Sequence, residues 1–213
     1  MVELSDNLIE KPCKNSSPHI GEGIVIDIGT GDGLFVYQCA HQNPRKFYIG
    51  IDANASPLEK ISEKIYRKPA KGGLPNILYI QAAVEELPSE LYGVANEVHI
   101  HFPWGSLLRA VAIGDEKVLH NLRQICAKEA LLEIVIGLDP ERDCSEIARL
   151  GLKPLSIEYM DAELIPRFHA RGFEILERGI LTASEWPNLK TSWAKRLKGN
   201  QGRSVTYIIA RAV

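Results

Sequence analysis

Long apolar runs are absent from the 213-residue chain, and none approaches the ~18 residues that a bilayer-spanning helix requires. Residues 1–14 carry mixed charge and lack the apolar core of a signal peptide, so we expect neither secretion nor a membrane partner. Cysteine is scarce, and the four cysteines form no Cys-x-x-Cys pair, which is typical of buried thiols in a cytosolic protein. These absences predict a cytoplasmic protein.

An excess of charge of one sign is also lacking. The net charge is −2, so any signal for nucleic-acid binding has to be local. The six histidines show no metal-ligand spacing with cysteines or acids, and we therefore predict no metal site. His99 and His101 alternate along one predicted strand and are interpreted as core or lining residues. No Ser/His/Asp nucleophile arrangement stands out.

Strand-like and helical stretches alternate along the whole chain. The pattern predicts strands over residues 24–28, 46–52, 76–82, 95–102, 129–137, 172–181 and 204–212. It predicts helices over 34–43, 57–67, 106–111, 116–128, 143–150, 161–171 and 184–198. This order indicates an α/β fold with a Rossmann-like, seven-stranded, mostly parallel sheet and helices on both faces. The last two strands are close in sequence and could pair antiparallel at one edge. We expect a single domain over residues 1–213, in which 1–22 form a polar lead-in.

The densest motif is Asp-Ile-Gly-Thr-Gly-Asp-Gly at residues 27–33, between the first strand and the first helix. Its glycines suit a tight turn whose backbone approaches a ligand closely, although the spacing differs from the dinucleotide Gly-x-Gly-x-x-Gly. Asp52 ends the second strand 19 residues after Gly33, where a carboxylate can accept hydrogen bonds from a ribose. We interpret the loop and the acid as an S-adenosylmethionine site, with the loop near the methionine end. The alternative is a glycine turn in an unrelated α/β protein.

Two further strand ends reach the same crevice, because ligands of parallel sheets bind at the carboxyl ends of the strands. Ala82 and Ala83 leave room for an adenine ring, although close packing explains them equally well. Trp104 follows the fourth strand and Trp193 lies between the last two. Two aromatic side chains from separate loops can sandwich a base, at ~1–3 kcal/mol per stack. The alternative for a lone tryptophan is a core position.

Two local runs of positive charge flank these residues. Each contains five basic residues, and the second has no acid: Lys60, Lys64, Arg67, Lys68 and Lys71, then Lys190, Lys195, Arg196, Lys198 and Arg203. A solvated surface would explain the first run alone. Two runs beside a stacking site favour contacts with a phosphate backbone, so residues 60–73 and 184–203 are predicted RNA-binding segments.

Five segments together resemble one family. They are residues 27–33, Phe-Tyr-Ile-Gly-Ile-Asp at 47–52, Lys-Pro-Ala-Lys-Gly-Gly-Leu at 68–74, Phe-Pro-Trp-Gly-Ser-Leu-Leu at 102–108 and Trp-Ala-Lys-Arg-Leu at 193–197. The sequence resembles the 16S ribosomal RNA adenine-N1 methyltransferases of the aminoglycoside-resistance Kam/Npm group, which modify adenine 1408 in the decoding site. The resemblance covers about residues 20–212 and implies a class I S-adenosylmethionine-dependent methyltransferase. We further expect a monomer that acts on the assembled small ribosomal subunit, because two separated basic patches suit a folded surface.

The resemblance also implies residue roles. Trp104 and Trp193 would clamp the flipped adenine, and Arg203 would hold the backbone of the flipped nucleotide. The implied cofactor-site residues are Asp27, Gly29, Thr30, Gly31, Gly33, Asp52, Ala82, Ala83, Glu85, Pro103, Ser106 and Thr191. The implied rRNA-docking residues are Lys64, Arg67, Lys68, Lys71, Lys195 and Arg196. The chain departs from the family in two places. The loop at residues 198–203 is less basic than the family's can be. The family has a basic residue directly before the Gly-Leu segment that begins at Gly151, whereas this chain has Leu150 there and its basic residue, Arg149, one position earlier.

Three other functions stay open at this point. A tRNA guanine-N7 methyltransferase carries a Phe-Pro-x-Pro-Trp type segment, whereas Phe102-Pro103-Trp104 lacks the second proline. A small-molecule methyltransferase would keep its activity without the basic runs. A non-enzymatic RNA-binding module would not need the intact glycine loop and Asp52.

Overall fold

Seven strands form one sheet in the computed structural model, which describes residues 22–182 and 204–213. The strands are β1 (Ile24–Ile28), β2 (Phe47–Asp52), β3 (Ile77–Gln81), β4 (Ala95–His101), β5 (Cys126–Ile136), β6 (Phe173–Leu181) and β7 (Val205–Ala212). Their order across the sheet is β3-β2-β1-β4-β5-β7-β6. Strands β1 to β5 run parallel, and β7 is antiparallel to both of its neighbours. The predicted mostly parallel sheet with an antiparallel edge is confirmed.

The helices that connect the strands follow the predicted order. They are α1 (Leu34–Gln42), α2 (Glu59–Ile65), α3 (Gly105–Ile113), α4 (Glu116–Ile125), α5 (Cys144–Leu150), α6 (Ile157–Tyr159) and α7 (Ile165–Ala170). A π-helical segment, Met160–Leu164, joins α6 to α7, so this helical region begins earlier than the predicted residue 161. The Ser156 side chain explains the early start, since its hydroxyl accepts the Tyr159 amide at 3.2 Å. None of the helices within the described residues is long and apolar enough to cross a membrane.

Side chains that alternate along the strands supply two separate apolar layers. On one face, Ile26 clusters with Leu108 of α3 and Leu119 of α4. On the other, Val25 clusters with Val36 of α1 and with residues of α2. The predicted placement of helices on both faces is confirmed, and it leaves the carboxyl ends of β1 to β4 open at one edge.

The boundary between α4 and β5 differs from the prediction. The helix predicted over 116–128 ends at Ile125, and the strand predicted to begin at residue 129 begins at Cys126. Ala95 pairs with Cys126 but Glu97 pairs with Leu131, so extra residues of β5 bulge out of the register. Glu129 within the bulge has a φ of 63°. Pairing with β4 is a tertiary interaction, and it overrides the helical periodicity that runs on past Ile125. The helix predicted over 184–198 lies outside the described residues.

Candidate active site

The glycine loop at residues 29–33 leaves β1 and leads directly into α1. Gly31 has a φ of 59°, and a Cβ atom added there would meet nothing within 4 Å. At Gly29 an added Cβ would lie 2.5 Å from the Leu107 side chain, and at Gly33 2.6 Å from the Tyr79 ring. Packing therefore requires the two outer glycines. Gly31 instead presents bare backbone to open space, as a loop that cradles a ligand must do.

Asp52 at the end of β2 is bonded to this loop. Its Oδ2 atom accepts the Gly31 amide at 2.8 Å, and its Oδ1 atom accepts the Asn54 amide at 2.9 Å. A carboxylate offers about four lone-pair sites, so each oxygen keeps acceptor capacity for a further donor. Asp52 thus holds the loop in shape while it retains the ability to bind a hydroxyl.

Asp27 lies within β1 directly below the loop and is 4 % exposed. Burial raises the pKa of the Asp27 carboxyl, and nearby His101, Thr30 and His99 only partly offset this shift. The Thr30 hydroxyl is also buried and faces the Asp27 carboxyl, and their interaction is one of those that lower the Asp27 pKa.

A buried polar cluster on β4 and β5 supports Asp27 from one side. His101 Nε2 lies 2.6 Å from Glu133 Oε1, and the His99 and His101 rings stack with centroids 5.1 Å apart. The Phe35 ring of α1 meets the His101 ring edge-on at 4.9 Å. The expected lining histidines are therefore part of a polar cluster. Sequence reasoning missed Glu133, whose one signal was a glutamate with apolar neighbours over residues 130–136.

The end of β3 forms a third wall of the crevice. The Ala82 amide donates to the Asp52 carbonyl at 3.0 Å, which places the β3 end beside the acid. Ala83 precedes a 3₁₀ turn, Val84–Glu86, in which Glu85 is half-buried. Small side chains at residues 82 and 83 keep this wall flat.

The segment after β4 bears the tryptophan. Phe102 has a φ of 51°, which is strained for a bulky residue, and its amide donates to the Val135 carbonyl at 2.7 Å. Pro103 is buried, whereas Trp104 precedes α3 and is 44 % exposed. Ser106 in the first turn of α3 is exposed. The strained backbone turns a large aromatic side chain outward at the open edge of the sheet, and the core position considered for Trp104 is not the one it occupies.

The first basic run lies on α2 and the turn that follows it. Arg67, Lys68 and Lys71 are exposed, and none of them forms an ion pair with another described residue. Lys64 differs, because its Nζ atom lies 4.0 Å from the centroid of the Tyr37 ring. The second run, which includes Lys195, Arg196 and Arg203, lies outside the described residues, and so do Thr191 and Trp193. Among the described residues, no group of three or more His, Cys, Asp or Glu side chains could hold a metal ion.

A family model described as NpmA, 16S rRNA (adenine(1408)-N(1))-methyltransferase, matches residues 13–212 of this sequence. The chain belongs to the NpmA family. A relative of that function from Streptoalloteichus tenebrarius is 38% identical over 85% of this chain and 83% of its own. The crystal structure of the aminoglycoside resistance methyltransferase NpmB1 is 46% identical, covers 90% of this chain and 88% of its own, and has a TM-score of 0.78. The membership agrees with the resemblance drawn from the sequence.

A second solved structure bears on the cofactor of the NpmA family. It is a variant of the 16S rRNA (adenine(1408)-N(1))-methyltransferase from Catenulisporales acidiphilia with the cosubstrate SAM. Its TM-score is 0.81 at 33% identity, and it covers 91% of this chain and 87% of its own. The residues of this chain fit S-adenosylmethionine in two respects. Gly31 presents open backbone, and Asp52 retains acceptor sites.

Two tyrosine hydroxyls, one bonded to the glycine loop of this NpmA-family chain and one to the turn after α2, were missed by sequence reasoning. The Tyr79 hydroxyl donates to the Gly33 carbonyl at 2.7 Å, and the Tyr37 hydroxyl donates to the Gly72 carbonyl at 2.8 Å. Each bond joins residues that are more than 30 positions apart in sequence. No local motif predicts such contacts, because they depend on which strands and helices become neighbours in the folded protein.

Proposed function

We propose that this protein methylates N1 of adenine 1408 in 16S rRNA from S-adenosylmethionine, and that it does so on the assembled small subunit as a cytoplasmic monomer. The observation that carries the proposal is Trp104, which is 44 % exposed at the end of β4 beside the glycine loop. An exposed tryptophan at the open edge suits stacking with a base next to the methyl donor. Membership of the NpmA family over residues 13–212 supports the same target.

The chemistry requires little acid–base help from the protein. When bound, S-adenosylmethionine supplies an electrophilic methyl group. Adenine N1 carries a lone pair in the neutral base, so it is nucleophilic without a general base. The work of the chain is therefore to bind, to orient and to exclude water. We assign the loop residues Asp27, Gly29, Thr30, Gly31 and Gly33 to the methionine end and Asp52 to the ribose, with Ala82, Ala83 and Glu85 beside the adenine of the cofactor.

The target base has to leave its stack, because N1 lies on the pairing edge. Flipping costs a few kcal/mol, and less at an unpaired adenine. Trp104 would stack on one face of the base and Trp193 on the other, with Arg203 on the nucleotide backbone. Pro103, Ser106 and Thr191 would line the space between base and cofactor. Methylation at N1 makes the adenine cationic and removes an acceptor, which explains how the modification blocks an aminoglycoside that bonds this edge.

We assign the docking of RNA phosphates to basic residues of two segments. Arg67, Lys68 and Lys71 belong to the segment 60–73, and Lys195 and Arg196 belong to the segment 184–203. Lys64, the sixth residue expected to dock rRNA, has its ammonium over the Tyr37 ring. Both segments are assigned to the single methyltransferase domain of residues 1–213, which includes the polar lead-in of residues 1–22. Contacts of this kind release counterions, so docking should weaken steeply with salt.

Methyl transfer from labelled cofactor to purified small subunits tests the proposal directly. N1-methyladenine stops reverse transcriptase, so primer extension on the product should stop next to adenine 1408. The control is naked 16S rRNA, which should accept fewer methyl groups. Incorporation into tRNA or a small molecule, with none into subunits, would overturn the substrate and leave the fold and the cofactor standing. Equal incorporation into naked 16S rRNA would overturn the assembled subunit as the substrate.

A further inference from the structure

The segment after α2 folds back on itself into a compact basic turn, which we define as residues 65–74. The Lys71 amide donates to the Lys68 carbonyl at 2.7 Å, and the Leu74 amide donates to the Ile65 carbonyl at 3.0 Å. A Cβ atom added at Gly73 would lie 1.6 Å from the Arg67 carbonyl oxygen. The backbone of the basic turn is thus tightly closed, which fixes the Cα positions from which its basic side chains project.

Tyr37 of α1 lies beneath the basic turn and makes two contacts with this region. Its hydroxyl donates to the Gly72 carbonyl at 2.8 Å, and the Lys64 Nζ atom lies 4.0 Å from its ring centroid. The Tyr37 side chain is 9 % exposed, so both contacts are largely shielded from water. A cation held over an aromatic face is attracted to the ring. The Lys64 ammonium is therefore directed inward, onto Tyr37.

The same residue is also joined to the cofactor loop. The Tyr37 amide donates to the Gly33 carbonyl at 3.0 Å, the first helical bond after the last glycine of the loop. Tyr37 is thus hydrogen-bonded to the loop through its backbone amide and to the basic turn through its hydroxyl.

We infer that Tyr37 is a positioning residue for rRNA docking, which holds the basic turn at a fixed place relative to the cofactor loop. The inference rests on the proposed function of Arg67, Lys68 and Lys71 as phosphate contacts. A prefolded turn loses less conformational entropy on binding than a mobile one, so loosening the turn should weaken the binding of the subunit. Lys64 acts in this arrangement as a strut rather than as a phosphate ligand.

Tyr37→Phe removes the hydroxyl and keeps the ring beneath Lys64. We expect the KM for small subunits to rise about three- to tenfold, the effect of one lost hydrogen bond, with the kcat and the Kd for S-adenosylmethionine within about twofold of wild type. The matched control is Tyr79→Phe, which removes a similar bond from the Gly33 carbonyl and leaves the basic turn untouched. That variant should raise the Kd for S-adenosylmethionine first. A merely structural role of Tyr37 would move both ligands together.

Lys64→Met provides a second test that does not depend on Tyr37 folding correctly. It keeps the length of the side chain and removes the ammonium. As a strut, Lys64 should affect the subunit KM without changing the salt dependence of subunit binding. As a phosphate ligand, it should lower the slope of log K against log salt by about one.

The outcomes separate the inference from the proposed function. An unchanged subunit KM in Tyr37→Phe, or an equal rise in the Kd for S-adenosylmethionine, overturns the positioning role while wild-type methylation of subunits stands. A lowered salt slope in Lys64→Met overturns the strut. Wild-type protein that fails to methylate subunits overturns the proposed function and this inference with it.

Discussion

The Gly31 amide donates a 2.8 Å hydrogen bond to Oδ2 of Asp52, across 21 residues of sequence. The bond ties the open position of the glycine loop to the acid at the tip of the next strand. The two elements that define the predicted cofactor site thereby support each other, because the acid shapes the loop and the loop orients the acid. A change in either one should disturb the binding of S-adenosylmethionine.

Replacement of Asp52 should weaken cofactor binding before anything else. Asp52→Ala removes the acceptor of the Gly31 amide and the assigned acceptor of the ribose, so we expect the Kd for S-adenosylmethionine to rise about ten- to hundredfold. Asp52→Asn keeps one oxygen and should cost less. Isothermal titration calorimetry measures both values. A Kd within twofold of wild type in Asp52→Ala would place the ribose elsewhere.

Two glycines of the loop should respond differently to a methyl group. Gly31→Ala has open space for its Cβ, so the protein should fold with a loss of about 1–2 kcal/mol from its positive φ and bind S-adenosylmethionine at least tenfold more weakly. Gly29→Ala meets the Leu107 side chain at 2.5 Å and should lower the Tm further. Thermal melts and calorimetry separate the two effects. Wild-type affinity in Gly31→Ala would show that the cofactor does not approach this backbone.

Trp104 should matter for the target base and little for the fold. Because its side chain is 44 % exposed, Trp104→Ala should shift the Tm only slightly. The loss of one stack should lower kcat/KM for subunits about ten- to hundredfold, with the cofactor Kd nearly unchanged. Trp104→Phe, which keeps an aromatic face, should recover part of the activity. If the cofactor Kd rises in parallel with the loss of activity, Trp104 belongs to the cofactor pocket instead.

The basic turn should show its role in salt titrations. Replacement of Lys68 and Lys71 by glutamine removes two proposed phosphate contacts, so the slope of log K against log salt should fall by about 1.4–1.8. The control is Lys117→Gln, an exposed lysine on α4. That helix packs against the opposite face of the sheet, so the control should leave the slope unchanged. A loss of affinity that is independent of salt would argue against phosphate contacts at the turn.

Glu97 of β4, which lies beside His99, should contribute to the pH dependence of stability in acid. The interactions with His99, 3.7 Å away at ion-pair distance, and with Lys46 lower the pKa of Glu97 from 4.5 to about 2. A lowered folded-state pKa gives stability that is present above pH 4.5 and is lost as the pH falls toward about 2. Urea unfolding at several pH values should therefore show that the free energy of unfolding of Glu97→Gln falls less steeply below pH 4.5 than that of wild type (a flatter acid limb).

A matched variant makes this last experiment specific. Glu90 lies exposed in a 3₁₀ turn, Ser89–Leu91, away from the histidines, so Glu90→Gln should keep the wild-type acid limb. The assignment to Glu97 would be wrong if both variants flattened the limb equally. His99 gives the opposite sign, because its raised pKa supplies stability below about pH 6.5 that is lost as the pH rises. His99→Gln should therefore flatten the alkaline side.

The order of strands and helices along the chain and the glycine loop were predictable because they depend on local sequence. A short apolar run that ends in alternating glycines and is followed by a helical stretch predicts a strand, a tight turn and a helix. Asp52 lies at the distance from Gly33 expected for the acid that ends the second strand. The start of β5 was not predictable, since residues 126–130 fit a helix and a strand equally well. Pairing with β4 and a bulge at Glu129 decided that boundary.

The sequence by itself determined the order of the elements, the glycine loop with its acid, and the family. Each of these can be recognised from residues that are close in sequence, because the spacing of their side chains follows the period of a helix or a strand. Only the tertiary structure decided that Tyr37 joins the loop to the basic turn, that Lys64 lies over Tyr37, and that Glu133 pairs with His101. The reason is physical: these partners are 27 to 35 residues apart in sequence. They meet only because the strands assemble in the order β3-β2-β1-β4-β5.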